Sequence, residues 1–186
     1  MERGIESKNT VTIWGLIGII VIAAWLLLPA TQAKAETMKY NWKYHCTSQC
    51  TKLEYVELPD VEGHFVGVFE RRGVDIFETE VAAIVERGTF DKIKNVRTTF
   101  QGYAEVTFKD GSTIIHKYQG IFVPSPGEKL EVYKDCKGKY IKGTGRFEGI
   151  KGEFTFTGRR ITPYTKDKTK GDTWMEVTAT YTLPKK

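Results

Sequence analysis

The residues best suited to chemistry stand in two places. His45-Cys46-Thr47-Ser48-Gln49-Cys50 brings one imidazole and two thiols into a short stretch, and a third thiol, Cys136, lies far downstream. Thiolates beside an imidazole are soft donors that suit Cu(I) or Zn(II), so His45, Cys46 and Cys50 form a candidate metal site. Covalent haem attachment wants Cys-x-x-Cys-His, and in this chain the histidine precedes the pair. In an oxidising compartment the same cysteines give one disulfide and one remaining thiol. The disulfide is the preferred reading, with Cys46–Cys50, Cys46–Cys136 and Cys50–Cys136 all open as pairings, and no metal or other cofactor is assigned.

The second place is His116, two residues before Tyr118 and two after Ile114. A histidine on an apolar strand face is commonly satisfied by a core partner. Its functional alternative is a polar handle inside a cavity, able to orient a ligand or titrate near neutrality. Arg71-Arg72 and Arg159-Arg160 are adjacent pairs, and in a strand one member of each must point away from the other. A solvated strand end is the commoner outcome, but such an arginine can also grip carboxylate or phosphate at a barrel mouth. Glu78 and Glu80 are expected to face solvent, and the Lys-rich stretch 166–172 to form a solvated loop.

These groups need elements to hold them, and from about residue 53 the dominant signal is period-two alternation. Over 99–108, Phe100, Gly102, Ala104, Val106 and Phe108 fall on one face and polar residues on the other. Asp110-Gly111 then supplies a hairpin turn, and 113–122 returns with Ile114, His116, Tyr118, Gly120 and Phe122 on one face. The same pattern gives strands near 53–58, 64–71, 74–87, 130–134, 140–148, 153–161 and 174–183, nine candidates in all. Short turns and even spacing favour a closed antiparallel up-and-down barrel of about eight strands, because closure removes aggregation-prone edges. A sandwich also reads as many short strands, and the glycines of 143–152 tilt the choice toward a barrel, where strands bend sharply. That segment is no phosphate loop, since it runs into a strand rather than opening a helix.

Gly143-Thr144-Gly145-Arg146-Phe147-Glu148-Gly149-Ile150-Lys151-Gly152 resembles the G-x-G-x-F-x-G-I-x-G hairpin of the allene oxide cyclase barrel-like and dirigent-like, calycin-type group. The resemblance rests on this one hairpin and is compatible with a barrel over 53–184. It implies a closed barrel able to hold an apolar small molecule. In the plant enzymes such a barrel steers cyclisation of a fatty-acid epoxide, and in dirigent proteins it orients phenoxy radicals. No catalytic residue of either family is matched in this sequence.

Residues 11–28 are free of charge, preceded by Arg3 and Lys8 and followed by Ala33-Lys34-Ala35. The small-x-small end signals a cleaved secretory peptide, whereas the length and the flanking Trp14 and Trp25 suit a retained membrane anchor. Either outcome exports the rest. The net charge of +5, with acids interspersed among bases, is no nucleic-acid footprint, and 40% hydrophobic with 27% charged residues excludes a disordered chain.

The expected organisation is therefore a signal peptide or anchor helix over 1–35, a cysteine-containing segment over 36–52 and an all-β barrel over 53–186. The expected function is non-enzymatic binding of an apolar or amphipathic small molecule, at the periplasmic or outer face of the cytoplasmic membrane. Its ligand-facing residues would be His116, Tyr118, Phe100, Phe108, Phe122, Phe147 and Tyr181. The alternatives are an accessory subunit of a membrane-protein complex, anchored through 11–28, and an isomerase or cyclase of the allene oxide cyclase type using His116, Tyr118 or an inward glutamate.

Overall fold

Alternation of large inward and polar outward side chains builds one antiparallel sheet, and the sheet closes on itself. The computed structural model describes residues 36–125, 130–166 and 169–185. The apolar run 11–28, with both of its readings, lies outside the described residues, among which no helix is long and apolar enough to cross a membrane. Eight strands succeed one another: β1 (Thr37–Leu58), β2 (His64–Ile76), β3 (Val81–Ile93), β4 (Arg97–Thr107), β5 (Thr113–Pro124), β6 (Glu131–Gly143), β7 (Lys151–Arg160) and β8 (Lys170–Pro184). Each pairs with the next, and β8 returns to β1, setting Thr37 opposite Pro184 and Cys46 opposite Met175. The barrel therefore has no free edge.

Three sequence expectations change in detail. The run 74–87 is two strands, broken where the Phe77 amide donates to the Glu80 carbonyl at 2.9 Å. The candidate 130–134 and the first part of 140–148 both fall in β6, whose register against β7 slips between Tyr133 and Cys136 around the left-handed Asp135 (φ 52°), while 144–148 leaves the sheet as a 3₁₀ turn. That bulge interrupts the alternation and makes one strand read as two. Most of 36–52 lies inside β1, the longest strand.

The expected disulfide is absent: Cys46, Cys50 and Cys136 are all free and buried. Cys46 and Cys50 lie four residues apart on one extended strand, roughly 13 Å at about 3.3 Å per residue, far beyond the ~6 Å Cα spacing of a disulfide. Cys136 belongs to β6, which pairs with β5 and β7 and not with β1.

The two ends of the barrel differ. The β2–β3, β4–β5 and β6–β7 connections share one end, which is closed by aromatic rings. Trp42 stands 4.9 Å from Phe77 and 4.5 Å from Tyr181 between ring centres, and Phe108 stands 4.7 Å from Phe147. The glycine-rich segment supplies the plug through a single 3₁₀ turn, Gly145–Phe147, entered and left by Gly145 (φ 59°) and Gly149 (φ 76°). Those left-handed positions let Phe147 and Ile150 fold under the barrel. Arg146 covers the plug, 4.7 and 4.8 Å from the Phe108 and Phe147 rings, and donates to Glu80 at 2.6 Å.

Above the plug, rings are seated directly on backbone. A Cβ at Gly138 would lie 2.1 Å from Cζ of Phe154 and 2.6 Å from the Lys117 carbonyl. Gly138→Ala is therefore expected to cost about 1–3 kcal/mol through forced repacking, seen as a melting temperature several degrees lower. An unchanged melting temperature would show that the ring moves aside freely.

Candidate functional site

The other end is open among the described residues. A cavity of about 530 Å³, within the size range of small-molecule pockets, occupies that half of the barrel. Its walls are the inward rings of Phe65, Phe69, Phe90, Phe100, Phe122 and Phe156, joined by Tyr118 and Tyr133. Gly88 and Gly102 face each other across β3 and β4, with the Phe69 ring against the first and the Tyr118 ring against the second. A side chain at either glycine would push those rings inward.

A charged pair lies deep in this apolar chamber. Arg71 on β2 sits directly across from Glu86 on β3, both buried, with Nε 3.6 Å from the carboxylate. Arg71 Nε donates to Ser48 Oγ at 3.0 Å. Its Nη2 donates to the Ser48 and Gly171 carbonyls at 2.6 and 2.9 Å and to Thr173 Oγ1 at 3.0 Å. Ser48 Oγ in turn donates to Glu86 at 2.8 Å. Burial works against the charge on Arg71, but Tyr133 and Glu86 outweigh it and hold its pKa above the ordinary value. Burial likewise raises the Glu86 carboxyl, against the pull of Arg71 and the Ser48 hydroxyl.

The mouth is basic. Glu131 lies 3.1 Å from Lys92 and 2.9 Å from Arg160. The Arg160 guanidinium, almost entirely buried, stands 4.1 Å from the Tyr164 ring and 5.3 Å from that of Phe122. With Lys94 and Lys166, four cations and one carboxylate among the described residues line this end of the cavity. Such an excess attracts an anion, and a largely buried guanidinium binds one more strongly than an exposed lysine.

Beyond the cavity, toward the plug, lies a smaller space of about 30 Å³ that shares Glu86, Tyr118, Phe156 and Met175 as walls and adds Cys46, Asp75 and His116. Asp75 is 1% exposed and neither of its carboxylate oxygens has a hydrogen-bond partner; the Cys46 thiol faces it without reaching bonding geometry. His116 Nδ1 and the Tyr118 hydroxyl are also buried and unpartnered. Burial pushes Asp75 up to about 7, helped by Glu86 and opposed by Cys46, and burial pushes His116 down to about 4.

The residues expected from sequence to face a ligand thus divide by depth. Phe100, Tyr118 and Phe122 line the large cavity, and His116 lines the inner one. Phe108, Phe147 and Tyr181 belong to the aromatic plug and do not line the cavity. The metal candidate is divided by the wall itself: Cys46 and Cys50 point inward, while His45 points outward and stacks on Trp174 at 4.8 Å. Among the described residues no group of three or more His, Cys, Asp or Glu side chains is arranged to hold a metal. Sequence reasoning missed Asp75 and Glu86 and left Arg71 and Arg160 at solvated strand ends. Their signal was parity, since Arg71 and Asp75 fall in step with Phe69, and Glu86 with Ala82 and Ile84.

No protein-family model matches the chain, and no curated protein matches it. Among solved structures, a conserved protein of unknown function, RPA1785 from Rhodopseudomonas palustris, aligns with a TM-score of 0.49 at 9% identity, covering 82% of this chain and all of its own. The pterocarpan synthase dirigent protein GePTS1 aligns with a TM-score of 0.46 at 13% identity, covering 81% of this chain and 88% of its own. Likenesses this distant carry no functional information, because unrelated functions share folds.

Proposed function

We propose that this chain is an exported barrel that binds an amphipathic small molecule close to the membrane, its apolar body among the cavity rings and its acid group at the mouth. The observation that carries the reading is the cavity itself, aromatic along its walls and bordered, among the described residues, by four cations against one carboxylate at its mouth. Export is supported by the uncharged run 11–28 behind Arg3 and Lys8.

Calorimetric titration of the full-length protein with dodecanoate and with dodecanol tests the binding. Dodecanoate is expected to bind about tenfold more tightly, a charge-assisted contact's worth, and the preference to collapse in Arg160→Met. Absence of saturable binding by either molecule would end the small-molecule reading. Equal affinities would leave the cavity in use but remove the acid from the ligand.

A further inference from the structure

The inner space is the least explained part of the molecule. Asp75, His116 and Tyr118 each bring to it a buried polar atom that no protein group satisfies. Interiors rarely leave such atoms unpaired, and three of them around one small volume mark a place where something else makes the bonds. We infer that this space is a second subsite, which takes an uncharged oxygen group, a hydroxyl or a carbonyl, at the buried end of the ligand. The inference rests on the reading of the larger cavity as a small-molecule site.

The donor set selects that chemistry. A protonated carboxyl at Asp75 donates, a neutral imidazole offers one donor and one acceptor according to tautomer, and the Tyr118 hydroxyl does either. An alcohol or ketone oxygen can satisfy two of these at once. Bare hydrocarbon satisfies none of them, and a second carboxylate would meet both Asp75 and Glu86 across the same walls. Placement agrees as well. Arg160 at the mouth and Phe154 beside the inner space are six positions apart on β7, about 20 Å of strand and roughly 15 Å down a barrel whose strands tilt by about 40°. An extended chain advances roughly 1.2 Å per atom, so about a dozen atoms join the two ends. Tyr118 and Glu86 line both spaces, so the two adjoin within the barrel.

Three acids of one length test this in the full-length protein at pH 6: dodecanoate, 12-hydroxydodecanoate and dodecanedioate, each titrated by calorimetry. The hydroxy acid is expected to bind several-fold more tightly than dodecanoate and the diacid about tenfold more weakly. Tyr118→Phe, which keeps the ring, is expected to reverse the order of the first two, and Asp75→Asn to weaken the hydroxy acid more than dodecanoate. A hydroxy acid weaker than dodecanoate in the unaltered protein would overturn the subsite, and so would a Tyr118→Phe loss equal for both ligands, since a trapped water would then be all the inner space holds. Absence of binding by all three acids would overturn the larger cavity's role together with the subsite, a different failure from the reversed order.

Discussion

Arg71→Met is expected to destabilise the barrel by about 3–5 kcal/mol, while Arg71→Met combined with Glu86→Leu recovers most of that loss. The guanidinium is buried and donates to Ser48 twice, to Gly171 and to Thr173, and it stands 3.6 Å from the Glu86 carboxylate. Its removal leaves a carboxylate in a nearly dry interior with one remaining donor, the Ser48 hydroxyl at 2.8 Å. An uncompensated buried charge costs far more than the pair ever contributed, whereas a well-packed apolar pair is often neutral or better. Urea unfolding monitored by circular dichroism separates these terms, with the midpoint falling in the single variant and returning in the double, and the slope unchanged throughout. The single variant is also expected to be less impaired at pH 5 than at pH 8, because a carboxyl already raised by burial escapes the penalty by protonating. A loss below about 1 kcal/mol in the single variant would show that water reaches Glu86 freely. The pair therefore tests the cavity as well as the fold, since Arg71 and Glu86 are part of the cavity wall.

How much of this was legible in the sequence depends on what alternation encodes. It states which face a side chain takes, and along β4, β5 and β8 the inward sets Phe100 to Phe108, Ile114 to Phe122 and Met175 to Tyr181 come from it directly. It does not state depth. Phe100 on β4 and Phe108 one residue past its end share one parity, yet the second plugs the barrel and the first lines its cavity, because depth comes from cross-strand register and from which end the 3₁₀ turn closes. β1 was obscured for a different reason. Its inward positions run Tyr40, Trp42, Tyr44, Cys46, Ser48 and Cys50, from aromatic to small and polar, so the cysteine spacing stood out and the strand did not. Arg71, Asp75 and Glu86 had inward parity, but charge in a strand normally argues for solvent, and the network that accommodates Arg71 comes from Ser48, Gly171 and Thr173, each more than twenty residues away. Glycine patterning was the more faithful guide, since Gly143 to Gly152 do bend the chain at a barrel end, although into a plug and not a simple hairpin.

Asp75→Asn and His116→Gln are expected to tilt the pH dependence of stability in opposite directions. Burial holds the Asp75 carboxyl up to about 7 in the folded barrel, against 3.8 for the free group. The folded state therefore binds this proton where the unfolded chain does not, so its contribution is complete below about pH 4 and is lost as pH rises toward 7, at up to about 1.4 kcal/mol per pH unit. His116 is held down to about 4 against 6.5, so the unfolded chain binds its proton first, and that contribution is complete above about pH 6.5 and lost as pH falls toward 4. Between pH 4.5 and 6.5 the two slopes oppose each other and largely cancel. Taking away Asp75 leaves the histidine slope, and unfolding free energy is expected to rise by roughly 2 kcal/mol across that interval; taking away His116 leaves the aspartate slope and a fall of similar size. Each variant is compared with itself at two pH values, so the fixed cost of the substitution drops out, and Glu86 and the surface carboxylates are common to all three proteins. Parallel profiles for the three would mean that neither group is desolvated as the fold places it. Opposite tilts would establish that the inner space holds a neutral carboxyl and a neutral imidazole at pH 6, the state in which the proposed subsite favours an uncharged oxygen over a second anion.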